Sequence, residues 1–224
     1  MKRWFVTGTD TEIGKTYVAS ALISLLVGKG YRVAGMKPVA SGCVKTKSGL
    51  RNDDALRLIA ASNVELPYDV VNPFCFEPAI APHIAAREAA QVIDIQRISE
   101  LAHSIEADYL VIEGVGGWCV PLGEASMLAE LATATADEVI IVVGMRLGCI
   151  NHALLTAAQV KKDGLSLKGW IANHVDPDML VQSENLVTLQ ALMPCPLLGV
   201  LPWSKVPGQC PDLKMPSTYI YKNE

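Results

Sequence analysis

Apolar residues along the chain fall into two alternating patterns. Short runs rich in β-branched and aromatic residues occupy positions 4–7, 32–36, 109–113, 138–143, 168–173 and 197–201. Each is too short for a helix and is bounded by Gly, Asp or Pro, as strands buried on both faces of a parallel sheet are. The longer stretches between them have helical spacing. Residues 15–27 set Val18, Leu22, Leu25 and Leu26 on one face, and Ile95, Ile98, Leu101, Ala102 and Ile105 do the same further on. Segments 127–134, 153–160 and 185–192 read as shorter helices. Strand–helix–strand repetition across the chain predicts an α/β fold with a parallel sheet and right-handed crossovers. No internal repeat, low-complexity segment or linker divides it, and the proline-rich stretch 202–216 still carries Trp203 and Leu213. A single domain over residues 1–224 is the expectation.

Composition narrows the class. Half of the residues are hydrophobic, 19% are charged, and 19 basic against 23 acidic residues leave a net charge of -4. This is the make-up of a globular chain with a large core. Without a long basic run, a phosphate-backbone binder has little support, so no nucleic-acid partner is expected. The apolar stretch after Met1-Lys2-Arg3 is too short for a signal-peptide core, and no later run approaches a membrane span. The six cysteines, at 43, 75, 119, 149, 195 and 210, are scattered without a CxxC pair or metal-ligand spacing. They read as reduced, mostly packed thiols. A soluble, cytoplasmic protein without membrane contact is expected.

The strongest chemical signal is FVTGTDTEIGKT, which leaves the first strand at Gly8 and opens a helix at Lys15. Glycine lets backbone approach a phosphate, and the N–H groups of the helix start point at it along the positive end of the dipole. Lys15 adds a mobile charge for the β and γ phosphates, and the Thr16 hydroxyl is placed to ligate Mg²⁺. Five residues separate Gly8 from Gly14, one more than the commonest phosphate-loop spacing.

Other residues carry charge where a nucleotide site would need it. Glu113 ends a hydrophobic strand where the second acidic ligand of phosphate-loop proteins lies, and Gly114, Gly116 and Gly117 follow it. Of the pair Asp53-Asp54, Asp53 reads as a helix cap, while Asp54 reads equally as a helix-start residue or a metal ligand. Lys37 ends the second strand, either as a solvated lysine or as a partner for a γ-phosphate beside the first loop. The segment GMRLGCINH at 144–152 is a strand–loop–helix junction that fits a plain cap or an anion site, and His152 carries no signal of its own.

Taken together, FVTGTDTEIGKT, AGMKPVASG, GLRNDDAL, VNPFCFEPAIAPH, VIEGVGGW, VVGMRLGCINHALLTA and GWIANHVDP resemble the dethiobiotin synthase family, in the family's order and from residue 5 to about 203. The five-residue spacing in the loop is itself a trait of that family. The resemblance implies a P-loop NTPase-like fold with a mainly parallel seven-stranded sheet flanked by helices. It implies a homodimeric, Mg²⁺- and ATP-dependent cyclo-ligase with its substrate site at the subunit interface. The N7 amine of 7,8-diaminononanoate takes up CO₂ as a carbamate, which attacks the γ-phosphorus of ATP. The N8 amine then closes the ureido ring on the carbamic-phosphoric anhydride, giving dethiobiotin, ADP and phosphate. Carbamate and γ-phosphate repel each other, so cations must hold them together, and no covalent nucleophile is needed.

Residue by residue, the resemblance implies that Glu12, Ile13, Gly14, Lys15, Thr16 and Tyr17 cradle the nucleotide. Thr16, Asp54 and Glu113 ligate Mg²⁺, and Lys37 is catalytic alongside Lys15. Thr11, Lys37 and Ser41 contact the carbamate end of the substrate. Gly114, Val115 and Gly116 belong to the ATP site and Gly117 to the substrate site, with Gly116 and Gly117 lining the reaction centre. Asn173 reads the adenine edge, with His174 nearby and Pro202, Trp203 and Ser204 closing over the base. Leu147, Gly148, Cys149 and Asn151 of the opposite subunit bind the substrate carboxylate. Val115 and His174 depart from the residues common in the family. Three rivals bear on the same fold. A dimeric ATP switch of the partitioning type carries a signature lysine after the first glycine, where this chain has Thr9 and Asp10. A cobyrinate-type amidating synthetase carries a further glutaminase domain for which the chain has no room. A paralogue with altered substrate would be expected to change Lys37, Ser41 or the 147–151 loop.

Overall fold

The computed structural model describes residues 1–204 and 213–220. Six strands form one wholly parallel sheet: β1 (Lys2–Gly8), β2 (Val33–Met36), β7 (Tyr109–Glu113), β8 (Glu138–Met145), β9 (Leu167–His174) and β10 (Leu197–Leu201), in the order β10-β9-β8-β1-β7-β2. These are the six apolar runs. The α/β P-loop class holds, while a seventh strand in this sheet is not seen among the described residues. Two small sheets lie beside it. Strand β3 (Val39–Ala40) pairs in parallel with β6 (Phe74–Cys75), and β4 (Val44–Thr46) forms a hairpin with β5 (Gly49–Arg51).

Strand alternation sorts the core into two halves. Trp4, Val6, Tyr109, Val111, Ile140 and Val142 face one apolar cluster with Val18, Leu22, Ile23 and Leu26 of α1 (Lys15–Gly28). Their neighbours Phe5, Leu110, Ile112, Val139, Ile141 and Val143 face the other, with Ile98 of α5 (Ile95–Ser104), Leu131 of α6 (Leu128–Thr135) and Ala157 of α7 (Cys149–Lys162). Each fully buried aliphatic side chain contributes about 1.5–3 kcal/mol, so both faces of every central strand must be covered. The remaining helices are α2 (Asp53–Ala61), α3 (Tyr68–Val71), α4 (Pro82–Glu88) and α8 (Gln182–Leu192). Leu213, Met215 and Ile220 bury themselves in the α1-side cluster. None of the described helices is long and apolar enough to cross a membrane.

Two sequence expectations need correction. Asn52, not Asp53, caps α2: its Oδ1 accepts from the Ala55 N–H at 3.2 Å, and Asp53 is an exposed first-turn residue. Cys43 and Cys75 are not free thiols but a disulfide, with Cα atoms 6.1 Å apart. β3 and β6 bring them together across 32 residues of sequence, a pairing that spacing could not reveal. Cys119, Cys149 and Cys195 are free, and Cys210 lies outside the described residues.

Gly35 of β2 holds α1 and α2 at close range. A Cβ there would lie 2.8 Å from both the Ile23 Cδ1 and the Leu58 Cβ. Gly35→Ala is expected to destabilise the protein by about 1–3 kcal/mol through overpacking. The urea midpoint should fall with an unchanged slope, whereas an unchanged midpoint would show that α2 shifts freely.

Candidate active site

All main strands point their carboxyl ends at one edge, where ligands bind in open parallel sheets. Because β7 lies between β1 and β2, Glu113 at the end of β7 stands between the phosphate loop and Lys37. Gly14 has φ 81° and caps α1 without a side-chain hydrogen bond, leaving the helix N–H groups for an anion. Beneath it, Asn173 is buried and its amide donates to the Ile13 carbonyl at 2.8 Å. A Cβ on Gly14 would lie 2.3 Å from that amide nitrogen, so glycine is required on both conformational and steric grounds.

A cavity of about 800 Å³ opens over this loop, and Thr11, Glu12, Gly14, Lys15, Thr16, Tyr17, Lys37, Ser41, Asp54, Glu113, Val115 and Gly116 line it. At its floor is a cluster of opposed charges. The Lys37 ammonium donates to Glu113 Oε1 at 2.6 Å and to the Gly114 carbonyl at 3.3 Å, and lies 3.1 Å from Asp54 Oδ2. The Thr16 hydroxyl donates to the same Glu113 oxygen at 2.8 Å. The solvated-lysine alternative for Lys37 is therefore excluded: the residue is 4% exposed.

Burial by itself would lower the Lys37 pKa, but the Glu113 and Asp54 carboxylates outweigh it and hold the ammonium charged. Burial likewise opposes the charge on Asp54, and Lys37 with Thr16 overrides it, so Asp54 lies below the usual carboxylate range. Glu113 is fully enclosed, and burial pushes its carboxyl up against the pull of Lys37. Lys15 has no carboxylate in contact among the described residues; its ammonium donates to the Asp10 carbonyl at 2.8 Å. Burial, and then repulsion from Lys37, lower its pKa to about 8.

Two polar atoms of the cavity have no partner among the described residues: Glu113 Oε2 and Ser41 Oγ. Buried polar atoms left in this way point to a ligand not yet present. No cluster of three or more His, Cys, Asp or Glu among the described residues could hold a metal. A hard cation would instead take the Thr16 hydroxyl, the two carboxylates and oxygens of a bound phosphate, a donor set suited to Mg²⁺.

The other predicted residues lie around this centre. Ile13 is core, with only its backbone turned to the loop, and Gly114 and Gly117 pack against Phe5 and the Gly8 carbonyl. His174, Pro202 and Trp203 line a second cavity of about 360 Å³ with Pro177, Gln182 and Val200, and Ser204 follows them, exposed. Leu147 and Gly148 lead into α7, whose first turn holds Cys149 and Asn151, and none of the four lines the main cavity of its own chain; Leu147 is 94% exposed and Cys149 is buried. Sequence reasoning missed several contributors. Asp10 holds Lys15 through its carbonyl and Arg146 through its carboxylate. Arg57 and the segment 79–82 form the outer wall. Asp10 lies inside the quoted loop, but its role depends on folding that loop back onto Lys15.

The family model described as an AAA domain matches residues 2–208. The chain is 46% identical over 210 residues to the ATP-dependent dethiobiotin synthetase BioD of Aeromonas salmonicida, covering 92% of this chain and 93% of the relative. It is 50% identical over 205 residues to that of Pseudomonas aeruginosa, covering 90% of each. The chain belongs to the ATP-dependent dethiobiotin synthetase family. Among solved structures, the MinD cell division protein of Aquifex aeolicus superposes with a TM-score of 0.58 at 17% identity, covering 92% of this chain and 84% of that one. The septum site-determining protein MinD of Pyrococcus horikoshii, solved with Mg-ADP, gives 0.54 at 18%, covering 90% and 81%. At such identities the likeness concerns the fold alone.

A triphosphate favours the charged form of Lys15, so binding above about pH 8 must take up a proton. ATP affinity is expected to fall as pH rises past about 8, by up to about tenfold per unit. Calorimetry between about pH 7 and pH 9.5 reads this. Lys15→Met should bind weakly and without that slope, and a constant wild-type Kd would contradict the assignment.

Proposed function

We propose that the protein closes 7,8-diaminononanoate and CO₂ into dethiobiotin at the expense of ATP, with Mg²⁺, as a single-domain homodimer in the cytoplasm. Its family is that of ATP-dependent dethiobiotin synthetases, which are C–N ligases. One observation supports this reading above the others: a second lysine, Lys37, is buried in the phosphate-loop cavity, which Ser41 also lines with a hydroxyl that has no partner among the described residues. Binding and splitting ATP needs Lys15; a second fixed cation suits a reaction in which another anion must meet the γ-phosphate.

The α1 N-terminus and Lys15 receive the β and γ phosphates. Lys15 leaves the Asp10 carbonyl for them, and the anion it binds stabilises its charge. Mg²⁺, held by Thr16, Asp54 and Glu113, supplies neutralisation of the triphosphate when bound. Lys37 is kept protonated by its two carboxylates and lies within the same cavity as Ser41. The Ser41 Oγ donates to a carbamate oxygen, and Lys37 spans carbamate and γ-phosphoryl group, offsetting their repulsion as the bond between them forms. Thr11 and the Gly116 backbone border the same space and restrict how the anhydride lies for attack by the N8 amine. Adenine occupies the second cavity beside His174, Pro202 and Trp203, and Asn173, which precedes His174 in β9, reads its edge. The 147–151 loop, which does not line the main cavity of its own chain, takes the substrate carboxylate of the partner subunit.

The direct test is incubation with diaminononanoate, bicarbonate and MgATP, with mass analysis for the cyclic urea; its absence would defeat the reading. Lys37→Ala is expected to lower kcat by about 10²–10³-fold while ATP binding stays measurable. A near-normal kcat would remove Lys37 from the mechanism. Asn151→Ala should raise the KM for diaminononanoate about tenfold, the loss of one charged hydrogen bond, with ATP binding little changed. A fully active monomer in light scattering would rule out the cross-subunit site.

A further inference from the structure

The Cys43–Cys75 disulfide ties together two walls of the active-site cavity. Backbone hydrogen bonds continue the β3–β6 pairing in both directions. Phe74 N–H donates to the Pro38 carbonyl at 3.1 Å, Phe76 to Ala40 at 2.8 Å, Cys43 to Phe76 at 2.9 Å and Gly42 to Pro78 at 3.2 Å. Lys37 and Ser41 flank one strand of this platform, β3, and the other, β6, leads into the 79–82 wall. Among the described residues the disulfide is the one covalent link between them.

A hydrogen-bonded hub adjoins the same sulfur. The Tyr68 hydroxyl lies 3.8 Å from Cys75 Sγ, accepts from the Asn52 N–H at 2.7 Å and donates to Asn72 Oδ1 at 2.9 Å. The Asn72 amide in turn donates to the Lys37 carbonyl at 2.6 Å. Asn52 caps the helix whose first turn carries Asp54. A change at Cys75 therefore reaches the backbone of Lys37 and the helix of Asp54 through a single phenol.

We propose that Cys43 and Cys75 form a thiol-modification site for small-molecule disulfides, and that its oxidation state sets how tightly the substrate wall is held. The kinetic half of this rests on the cavity being the diaminononanoate site. Cys75 is half-buried and Cys43 is 3% exposed, so exchange starts at Cys75. Its thiolate attacks one sulfur of the incoming disulfide, forming a mixed disulfide and releasing one small thiolate. Cys43 loses its proton and attacks Cys75 Sγ, releasing the second. Two cysteine thiols are oxidised, one small disulfide is reduced to two small thiols, and the two protons end on those thiols.

The oxidised platform is pre-ordered, so less ordering remains when substrate binds. The KM for diaminononanoate should be roughly threefold to tenfold lower in the oxidised enzyme, with a smaller change in the KM for ATP, because Gly14, Lys15 and Thr16 stand on the β1–α1 junction and the Tyr68 path reaches the nucleotide site through Asp54 and Lys37 alone. The enzyme is treated with oxidised glutathione or with dithiothreitol, alkylated and mapped by peptide mass, and both forms are assayed. Cys43 and Cys75 peptides should be joined after oxidation and separately alkylated after reduction. Cys43→Ser/Cys75→Ser should keep the reduced-state KM under both treatments. Alkylation of both cysteines after oxidation, equal KM values for the two forms, or the same shift in the double variant would each overturn the proposal. If no dethiobiotin forms in either state, the substrate reading fails, and peptide mass alone decides the modification site.

Discussion

An ammonium group taken out of water must be balanced by fixed negative charge, and the active site is arranged around that requirement at Lys37. Glu113 and Asp54 come from different elements, the end of β7 and the first turn of α2, yet both meet one nitrogen. Thr16 joins the same Glu113 oxygen from the first turn of α1. Three segments remote in sequence are thus held in register by one buried charge. The sheet order makes this possible, because inserting β7 between β1 and β2 places a carboxylate midway between the phosphate loop and Lys37.

The two lysines are held in opposite ways. Lys37 is paired and stays charged, whereas Lys15 rests on a carbonyl and has its pKa lowered. An anion entering the loop gains most from Lys15, whose charge lacks a carboxylate partner in contact. Lys37 has to be shared with its carboxylates, so its charge is best used where a nucleotide and a second anion crowd the same cavity. Catalysis on this scheme is positioning and electrostatics, without a nucleophile from the protein.

Much of this was legible from the sequence because it is local. Short, continuous apolar runs bounded by Gly, Asp or Pro marked the main strands, and the Gly-Lys-Thr turn between a strand and a helix marked the phosphate loop. What escaped depends on contacts remote in sequence. Helix α3 and strands β3 and β6 are only two to four residues long, too short to show a period, and they exist because tertiary hydrogen bonds hold them. The same brevity hid the Cys43–Cys75 pairing and the Tyr68–Asn72 support of Lys37. Asn52 displaced Asp53 as the cap because only its side chain reaches the Ala55 N–H, a one-residue choice that spacing does not decide. The resemblance implied a catalytic role for Lys37, but its burial between two carboxylates became visible only in three dimensions.

The proposed catalysis requires the Lys37 ammonium, shared with its carboxylates, to reach the transferring phosphoryl group as well. A crystal structure with Mg²⁺, a non-hydrolysable ATP analogue and diaminononanoate measures this directly. The Lys37 nitrogen should lie within hydrogen-bonding distance of a γ-phosphate oxygen, with Ser41 facing the substrate amine. A Lys37 still clamped between Glu113 and Asp54, with the γ-phosphate out of its reach, would contradict the account.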